Sequence, residues 1–223
     1  MIKSKSIIFA GYRDWALEIF NKLEKKYSNI NWYLANNPEK LNDLYQIKNI
    51  EIVILAGWSW ILPEDQINNK LVVGLHPSDL PNYAGGSPIQ NQVLDGLTST
   101  KMTMFKLEKR IDSGEWLYKN NLSLQGSIQD IFKEMVRSSM EIIGDFIEDY
   151  PQLTFINQTG NGKKCRRLSP NQSVLNKAQM NNMSTYSLYN FIRCRQDPYP
   201  NACLEDEFGK LIFKNVEYEQ RKN

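Results

Sequence analysis

Short apolar runs alternate with helical patterns through the first half of the chain, and this alternation restricts the fold more than any other feature. The runs lie at residues 6–12, 30–35, 50–58 and 70–76. Their length and their bulky, β-branched content are typical of buried strands. The segment 14–27 between the first two runs repeats apolar residues at the spacing of an amphipathic helix. Because strands joined by crossover helices pair in parallel, the sequence predicts an α/β protein with a mostly parallel sheet and flanking helices.

The second half of the chain adds four elements, and the sequence after them becomes polar. A helix is predicted at residues 87–97, a pair of strands within 100–124 and a long amphipathic helix at 127–150. The rest of the sequence is polar and rich in breakers, which favours loops around one short helix and a final hairpin. We therefore predict a Rossmann-like main domain at residues 1–150 and a short C-terminal extension at 151–223, packed on it and ending in a hairpin.

Charge and cysteine content argue against several classes of function. The 223 residues include 27 basic and 25 acidic side chains, a balance that gives no electrostatic case for nucleic-acid binding. The basic run at residues 163–167 is typical of a solvated loop. With three cysteines in no C-x-x-C arrangement and one histidine, we expect no metal site. The N-terminal apolar run is too short for export or for spanning a membrane, so we expect a cytoplasmic protein.

The chain holds a single histidine, His76, which ends the fourth predicted strand and begins the loop HPSDLPNYAGGSP. Ligands of open α/β sheets bind at this carboxyl edge. A lone histidine is more often structural than catalytic, but a nearby carboxylate would orient the ring for acid–base chemistry. Asp112, in the later segment DSG, is the candidate carboxylate. The first predicted strand is followed by Gly11 without the G-x-G-x-x-G pattern, so a nicotinamide cofactor is not expected.

Two motifs at a fixed separation resemble a known family. The segment LHPSDLPNYAGGSPIQ is followed by IDSG, with Asp112 placed 36 positions after His76. This combination resembles the formyltransferases that use 10-formyltetrahydrofolate, which carry a loop of the form N-x-H-x-S-x-L-P-x-Y-R-G and a later D-x-G. The tail segments CRRLSPNQSVLN and LYNFIRCRQDPYPNACL resemble those of sugar N-formyltransferases. The resemblance implies a Rossmann-like formyltransferase fold with residues 1–150 as its catalytic domain, a folate donor of the formyl group and an amine acceptor.

The resemblance also implies a catalytic pair and two sets of binding residues. His76 would stabilise an oxyanion or accept a proton, and Asp112 would position it and relay protons. The residues implied to bind the folate are Trp58, Trp60, Ile61, Leu62, Arg110, Ile111 and Gly114. The residues implied to bind the acceptor are Ser78, Tyr83, Gly85, Gly86, Ser87, Pro88 and Arg13. For Arg13 and the basic run, pyrophosphate binding and a plain surface charge both remain open.

Among the family's acceptors, the similarity favours a nucleotide-linked 4-amino-4,6-dideoxy sugar, UDP-linked rather than dTDP-linked, for a surface glycan or a nonulosonic acid. Glycinamide and methionyl-tRNA are the alternatives. The tRNA enzymes carry a further C-terminal β-barrel and would need a basic surface, which disfavours the tRNA acceptor. The family's habit implies a homodimer, and the apolar tail segment KLIFKNVEY either forms a dimer edge by strand pairing or covers the sheet.

Two positions depart from the family pattern. Gly74 stands where the family has an asparagine that donates a hydrogen bond to the oxyanion, and Ala84 stands where it often has arginine. Loss of one oxyanion donor typically costs about 3 kcal/mol of transition-state stabilisation. The alternatives to an active transferase are therefore a catalytically impaired protein that binds folate or a sugar nucleotide, and a hydrolase that releases formate. The presence of both His76 and Asp112 favours the transferase.

Overall fold

The computed structural model describes residues 6–47 and 49–221. In chain order the strands are β1 (Ser6–Ala10), β2 (Asn31–Ala35), β3 (Ile50–Ala56), β4 (Leu71–His76), β5 (Ala84–Gly85), β6 (Ser99–Lys106), β7 (Trp116–Ser123), β8 (Lys164–Cys165), β9 (Val174–Leu175), β10 (Cys203–Asp206) and β11 (Gly209–Ile212). The α-helices are α1 (Asp14–Lys26), α2 (Pro38–Tyr45), α3 (Glu64–Asn69), α4 (Pro88–Leu94), α5 (Ile128–Asp149), α6 (Lys177–Asn181) and α7 (Thr185–Arg193). Residues 1–5, the start of the predicted main domain, lie outside this description, as do Lys48, Lys222 and Asn223.

Six strands form the central sheet, in the order β2–β1–β3–β4–β6–β7. The first four are parallel, whereas β6 runs antiparallel to both of its neighbours. The predicted fold class, a mostly parallel α/β sheet with flanking helices, is confirmed. Because β1, β3 and β4 point the same way, the loops that follow them meet at one edge of the sheet.

Local backbone geometry explains where predicted and observed boundaries differ. The third predicted strand, 50–58, ends earlier because Gly57 turns the chain with a φ of +62°. The predicted helix 87–97 begins at Pro88, since Ser87 has a φ of +52°, and it ends at Leu94 shortly before Gly96. Proline fits at the first helical position because the backbone N–H of that position has no partner within a helix, so its absence in proline costs no hydrogen bond.

Apolar side chains cover both faces of the sheet. One cluster joins the sheet to α1 and α5, and the other joins it to α2. Helix α5 begins with a capping box, in which the side chains of Ser127 and Asp130 each accept a hydrogen bond from the backbone N–H of the other. The spacing predicts its buried face, and the structure buries all of these residues: Ile128, Ile131, Phe132, Met135, Ile142, Ile143 and Phe146.

The C-terminal extension forms a three-stranded sheet in the order β11–β10–β9, with a small apolar cluster of its own. The predicted short helix is α7, and the predicted final hairpin is β10–β11. Arg193 is buried and donates hydrogen bonds to the carbonyls of Leu124 (2.7 Å) and Gly126 (2.9 Å), which tie the extension to the segment before α5. The boundary between residues 150 and 151 stays a prediction. None of the helices in the described residues has the length and apolar character needed to cross a membrane.

Candidate active site

The structure brings His76 and Asp112 together. His76 ends β4 with 7% of its surface exposed, and its Nδ1 lies 3.5 Å from Oδ2 of Asp112. Strand β6 pairs with β4 so that Thr103 lies opposite His76, and the loop between β6 and β7 then carries Asp112 back over the end of β4. The pair is therefore a product of strand order, since the two residues are distant in sequence.

Three contacts hold the Asp112 loop in place. Asp112 has a left-handed φ of +50°, and its Oδ2 accepts a hydrogen bond from the Gly85 backbone at 2.8 Å. The Nε2 of Gln158 donates to the carbonyls of Asp112 at 3.0 Å and Gly114 at 2.7 Å. Gln158 comes from the C-terminal extension, and no local pattern in the sequence marks it.

The second ring nitrogen of His76 fixes where the proton of the neutral ring sits. Its Nε2 lies 2.9 Å from the carbonyl oxygen of Tyr83. Because a carbonyl oxygen only accepts, Nε2 carries the hydrogen, and Nδ1 is the nitrogen left to exchange a proton. Nδ1 faces Asp112, so the geometry allows an acid–base exchange between the two side chains.

Ser78 stabilises the His76 loop from inside. Its hydroxyl donates to the carbonyl of Asn82 at 2.6 Å, and its carbonyl accepts from the hydroxyl of Thr103 at 2.6 Å. Gln92 adds a hydrogen bond to the carbonyl of Pro77 at 2.8 Å. Ser78 is fully buried, so in this conformation it offers no surface to an acceptor.

The basic run lies beside the His76 loop. Strand β8 pairs in parallel with β5, and the backbone N–H of Gly86 donates to the carbonyl of Cys165 at 3.2 Å. Gly85 has a φ of +111°, and a Cβ there would collide with the carbonyl oxygen of Cys165, so only glycine fits. Within the run, Lys164 and Cys165 form a two-residue strand, which local patterns do not predict because its partner β5 is distant in sequence. The side chains of Lys164, Arg166 and Arg167 are nevertheless exposed.

Aromatic rings gather at the ends of β1 and β3. The ring of Trp60 lies 4.8 Å from that of Trp58 and 4.7 Å from that of Tyr12. The Tyr12 hydroxyl is hydrogen-bonded to the Ser59 hydroxyl at 2.8 Å, which joins the two loops. Tyr12 was not among the predicted binding residues, because it becomes part of this surface only when the two strands lie side by side.

Unpaired polar groups accompany these rings. The indole Nε1 of Trp58 is buried without a hydrogen-bond partner in the described structure. Over residues 58–62 the backbone N–H and C=O groups also form no hydrogen bonds within the described residues. Leu62 is buried in the core, so only its backbone can reach a ligand. A flat ring with several donors and acceptors along its edge fits such a site.

The loop that carries Asp112 lies next to this aromatic surface. Lys109 contacts Glu64 at 3.2 Å, which links the loop to the start of α3. Trp60, Ile61 and Ile111 expose 42%, 83% and 61% of their surfaces, and exposed apolar side chains in one region are typical of a binding site. Arg110 is exposed, and its carbonyl accepts from the Ser113 hydroxyl at 2.9 Å.

The remaining predicted acceptor residues divide between two places. The Ser87 hydroxyl accepts from the backbone of Leu168 at 3.1 Å, so Ser87 and Pro88 lie against the basic run. Arg13 lies beside the aromatic rings at the ends of β1 and β3, with its guanidinium 4.7 Å from the centre of the Tyr12 ring. It lines a cleft with Tyr199, whose hydroxyl pKa is raised by burial.

Aromatic and aliphatic side chains fill the space beside Gly74. A Cβ at this position would lie 2.9 Å from both the Phe105 ring and the Leu107 side chain. Phe105 is opposite Gly74 in the pairing of β4 with β6, and its ring also packs edge-on against the His76 ring. Apolar side chains therefore occupy the space where the resemblance predicts the side chain of an oxyanion donor. Within residues 6–47 and 49–221, no three metal-ligating side chains of His, Cys, Asp or Glu come together.

Comparison with known proteins agrees with this geometry. A family model described as formyl transferase matches residues 20–131, half of the chain, and the match includes His76, Asp112 and the aromatic loop. The methionyl-tRNA formyltransferase of Mycoplasmopsis pulmonis is 31% identical over 152 residues, covering 64% of this chain and 51% of the relative. The chain spans about half the length of the curated relatives it matches.

Two solved structures superimpose over nearly the whole chain. A methionyl-tRNA formyltransferase from Clostridium thermocellum has a TM-score of 0.85 at 28% identity, covering 96% of this chain and 94% of that one. A 4-N formyltransferase from Francisella tularensis has a TM-score of 0.79 at 15% identity, covering 99% of this chain and 100% of that one, a likeness of fold. On the match to the family model, the chain belongs to the formyl transferase family.

Proposed function

We propose that the chain moves the formyl group of 10-formyltetrahydrofolate to the 4-amino group of a nucleotide-linked 4-amino-4,6-dideoxy sugar. The observation that carries the proposal is the His76–Asp112 pair. The pair lies at the carboxyl edge of a formyl transferase fold, beside the aromatic loop whose Trp58 indole N–H has no hydrogen-bond partner in the described residues. The transfer joins the acceptor nitrogen to the formyl carbon, breaks the bond from that carbon to the folate nitrogen, and moves one proton from the first nitrogen to the second.

Asp112 and His76 divide the proton handling. Oδ2 of Asp112 accepts from Gly85 and faces His76, whereas Oδ1 makes no hydrogen bond within the described residues. Oδ1 is therefore the atom that receives the proton from the acceptor nitrogen and returns it to the leaving nitrogen. His76 holds Asp112 from the other side, with its Nδ1 facing Oδ2. The fixed loops supply a large part of the acceleration by orientation.

The aromatic loop supports folate as the donor. The family uses folate-derived formyl donors, and a pterin ring is flat with hydrogen-bonding groups along its edge. Trp60 and Ile61 offer exposed apolar surface for such a ring, and Trp58 offers an unpaired N–H. The backbone of residues 58–62 adds unpaired donors and acceptors at the same place. Bound folate supplies the activated formyl carbon; the chain supplies orientation and proton transfer.

Replacing Trp60 with alanine is expected to raise the KM for 10-formyltetrahydrofolate about tenfold, because one aromatic contact contributes about 1.4 kcal/mol. The kcat is expected to change little, since Trp60 lies in the loop after β3 and does not touch the His76–Asp112 pair. Steady-state kinetics with varied donor measure both constants. Phe208→Ala is the matched control, since Phe208 is 90% exposed at the tip of the tail hairpin. A doubled KM or less for Trp60→Ala would remove the aromatic loop from the donor site.

The basic run supports an acceptor with phosphate groups. Lys164, Arg166 and Arg167 are exposed beside the Gly85–Ser87 turn, and none of them forms an ion pair within the described residues. Arginine and lysine side chains bind phosphate through charge-assisted hydrogen bonds. A diphosphate needs only such a small patch, which agrees with the nearly balanced charge of the chain. The resemblance of the tail segments to sugar N-formyltransferases supports the amino sugar.

Methionyl-tRNA is the second candidate acceptor. It is favoured by the methionyl-tRNA formyltransferase structure that is 28% identical over almost all of both chains. The two candidates are distinguished by mass spectrometry of the acceptor after incubation with 10-formyltetrahydrofolate. One arm holds UDP- and dTDP-linked 4-amino-4,6-dideoxy sugars, the second holds methionyl-tRNA, and the third holds a glycinamide ribonucleotide. We expect one formyl group on a sugar.

Salt dependence gives an independent test of the acceptor. A sugar nucleotide presents two phosphates, so kcat/KM is expected to fall only slightly between 50 and 200 mM salt. A tRNA acceptor would give a fall of ~10³-fold or more if six or more phosphates were contacted. Formylation of tRNA with a steep salt dependence would overturn the sugar acceptor while leaving formyl transfer in place.

A further inference from the structure

Tyr83 joins the catalytic histidine to a polar network on the far side of the loop. Its carbonyl accepts from Nε2 of His76 at 2.9 Å, and its hydroxyl donates to Oδ2 of Asp95 at 2.7 Å. Its backbone N–H donates to the carbonyl of Lys163 at 2.6 Å. The Nζ of Lys163 in turn donates to the same Asp95 oxygen and lies 5.3 Å from the centre of the Tyr83 ring. His76, Tyr83, Asp95 and Lys163 thus form one chain of hydrogen bonds.

The Tyr83 backbone needs this support. Its φ is +56°, in the left-handed region, where a residue with a bulky side chain is strained. A strained conformation persists only where the surroundings hold it, and here Asp95 holds the ring while Lys163 holds the backbone. If Tyr83 relaxed to a negative φ, its carbonyl would turn and Nε2 of His76 would lose its acceptor.

The charges of the network fit the direction of these hydrogen bonds. Burial opposes ionisation of Asp95, but hydrogen bonds from Lys163 and Tyr83 hold the pKa of its carboxyl below the usual value. Burial, followed by the hydrogen bond to Asp95, raises the pKa of the Tyr83 hydroxyl to about 12. At neutral pH Asp95 is therefore a carboxylate and the Tyr83 hydroxyl is its donor.

We propose that Asp95 and Lys163 are positioning residues for His76, which fix its orientation and tautomer through the Tyr83 carbonyl. Neither residue touches a reacting atom. The expected effect on the rate rests on the proposed formyl transfer. The expected effect on the His76 ring does not depend on that function. The acidic partner of the network lies at the end of α4 and the basic partner lies next to β8, so two distant segments set the state of one ring.

The single histidine of the chain makes the tautomer directly measurable. Proton–nitrogen correlation spectra of ¹⁵N-histidine-labelled protein contain one imidazole, that of His76. In the native protein at a pH where the ring is neutral, we expect the Nε2–H form to dominate. In Tyr83→Phe and in Asp95→Asn we expect the ring nitrogen shifts to move toward those of a tautomer mixture. A native-like histidine spectrum in both variants would overturn the proposal.

Tyr118→Phe is the matched control, because the Tyr118 hydroxyl donates to Asp149 at the same 2.7 Å without any bond to the His76 loop. Its histidine spectrum is expected to stay native. The conservative variant Lys163→Arg, which keeps the charge beside Asp95, is expected to keep the native spectrum, whereas Lys163→Met is expected to lose it.

Kinetics separate positioning from folding and from failure of the proposed function. For Tyr83→Phe and Asp95→Asn we expect kcat to fall about tenfold, the equivalent of one hydrogen bond to a charged group. For Asp95→Asn the KM values for both substrates should stay within about twofold, since Asp95 belongs to neither set of binding residues. A fall in kcat without a change in the histidine spectrum contradicts the proposal. A changed spectrum in a protein that formylates no acceptor supports the positioning and rejects the proposed function instead.

Discussion

Replacing His76 with alanine is expected to lower kcat for formyl transfer by about 10²–10⁴-fold, the usual contribution of a positioned acid–base group. The ring lies 3.5 Å from Asp112 and is the only imidazole in the chain, so no second histidine can substitute for it. Loss of the ring also removes the side chain that faces Oδ2 of Asp112 and holds this carboxylate in place. Initial rates of tetrahydrofolate formation at saturating donor and acceptor measure the effect.

The control for this variant is its thermal unfolding, which shows whether the loop still folds. His76→Asn keeps a polar side chain at the end of β4 and serves as a second variant if the alanine protein is unstable. Asp112→Asn is expected to give a loss of similar size, because the amide cannot accept the proton of the attacking nitrogen. Activity above a tenth of the native value in a folded His76→Ala protein would show that the ring is structural.

Introducing the family's asparagine with Gly74→Asn is expected to destabilise the protein rather than to improve it. A Cβ at this position would lie 2.9 Å from Phe105 and from Leu107, both packed around the end of β4. Overpacking of this kind costs about 1–3 kcal/mol of unfolding free energy. Because the Phe105 ring also packs against His76, its displacement is expected to lower kcat as well. Denaturant unfolding and steady-state kinetics measure the two effects.

The compensating change is predicted to lie across the strand pair. In the double variant Gly74→Asn/Phe105→Ala, the asparagine occupies space that the ring has left, so the two effects on stability should be less than additive. Phe105→Ala alone is expected to lower the unfolding free energy by about 3–5 kcal/mol because it leaves a cavity. If Gly74→Asn alone left stability unchanged and raised kcat, the apolar filling of the oxyanion position would be wrong.

Sequence patterns are sufficient to predict the sheet and the edge of it that carries the candidate site. Apolar runs and helical spacing predict β1, β3, β4 and the buried face of α5, because each of these depends on the residues of one segment. His76 is predicted as a candidate because it ends a strand. Its pairing with Asp112 is predicted because the two motifs have the separation seen in the family that they resemble.

Contacts between distant segments are not predictable in this way. Strand β8 has two residues and is defined only by its partner β5, so the basic run resembles an ordinary loop. Gln158 reaches the Asp112 loop from a stretch without periodicity. The sequence indicates that Gly74 lacks the expected side chain, but only the register of β4 against β6 reveals that Phe105 fills the space.

The most direct measurement follows the formyl carbon itself. Protein is incubated with ¹³C-formyl-labelled 10-formyltetrahydrofolate and the amino sugar nucleotides, and the products are read by mass spectrometry and carbon NMR. We predict one labelled formamide on one sugar for each tetrahydrofolate released, and about a hundredth or less of either product in the same time with His76→Ala. Labelled formate in place of the formamide, or no release of tetrahydrofolate with any amine, would contradict the assignment of formyl transfer to the His76–Asp112 pair.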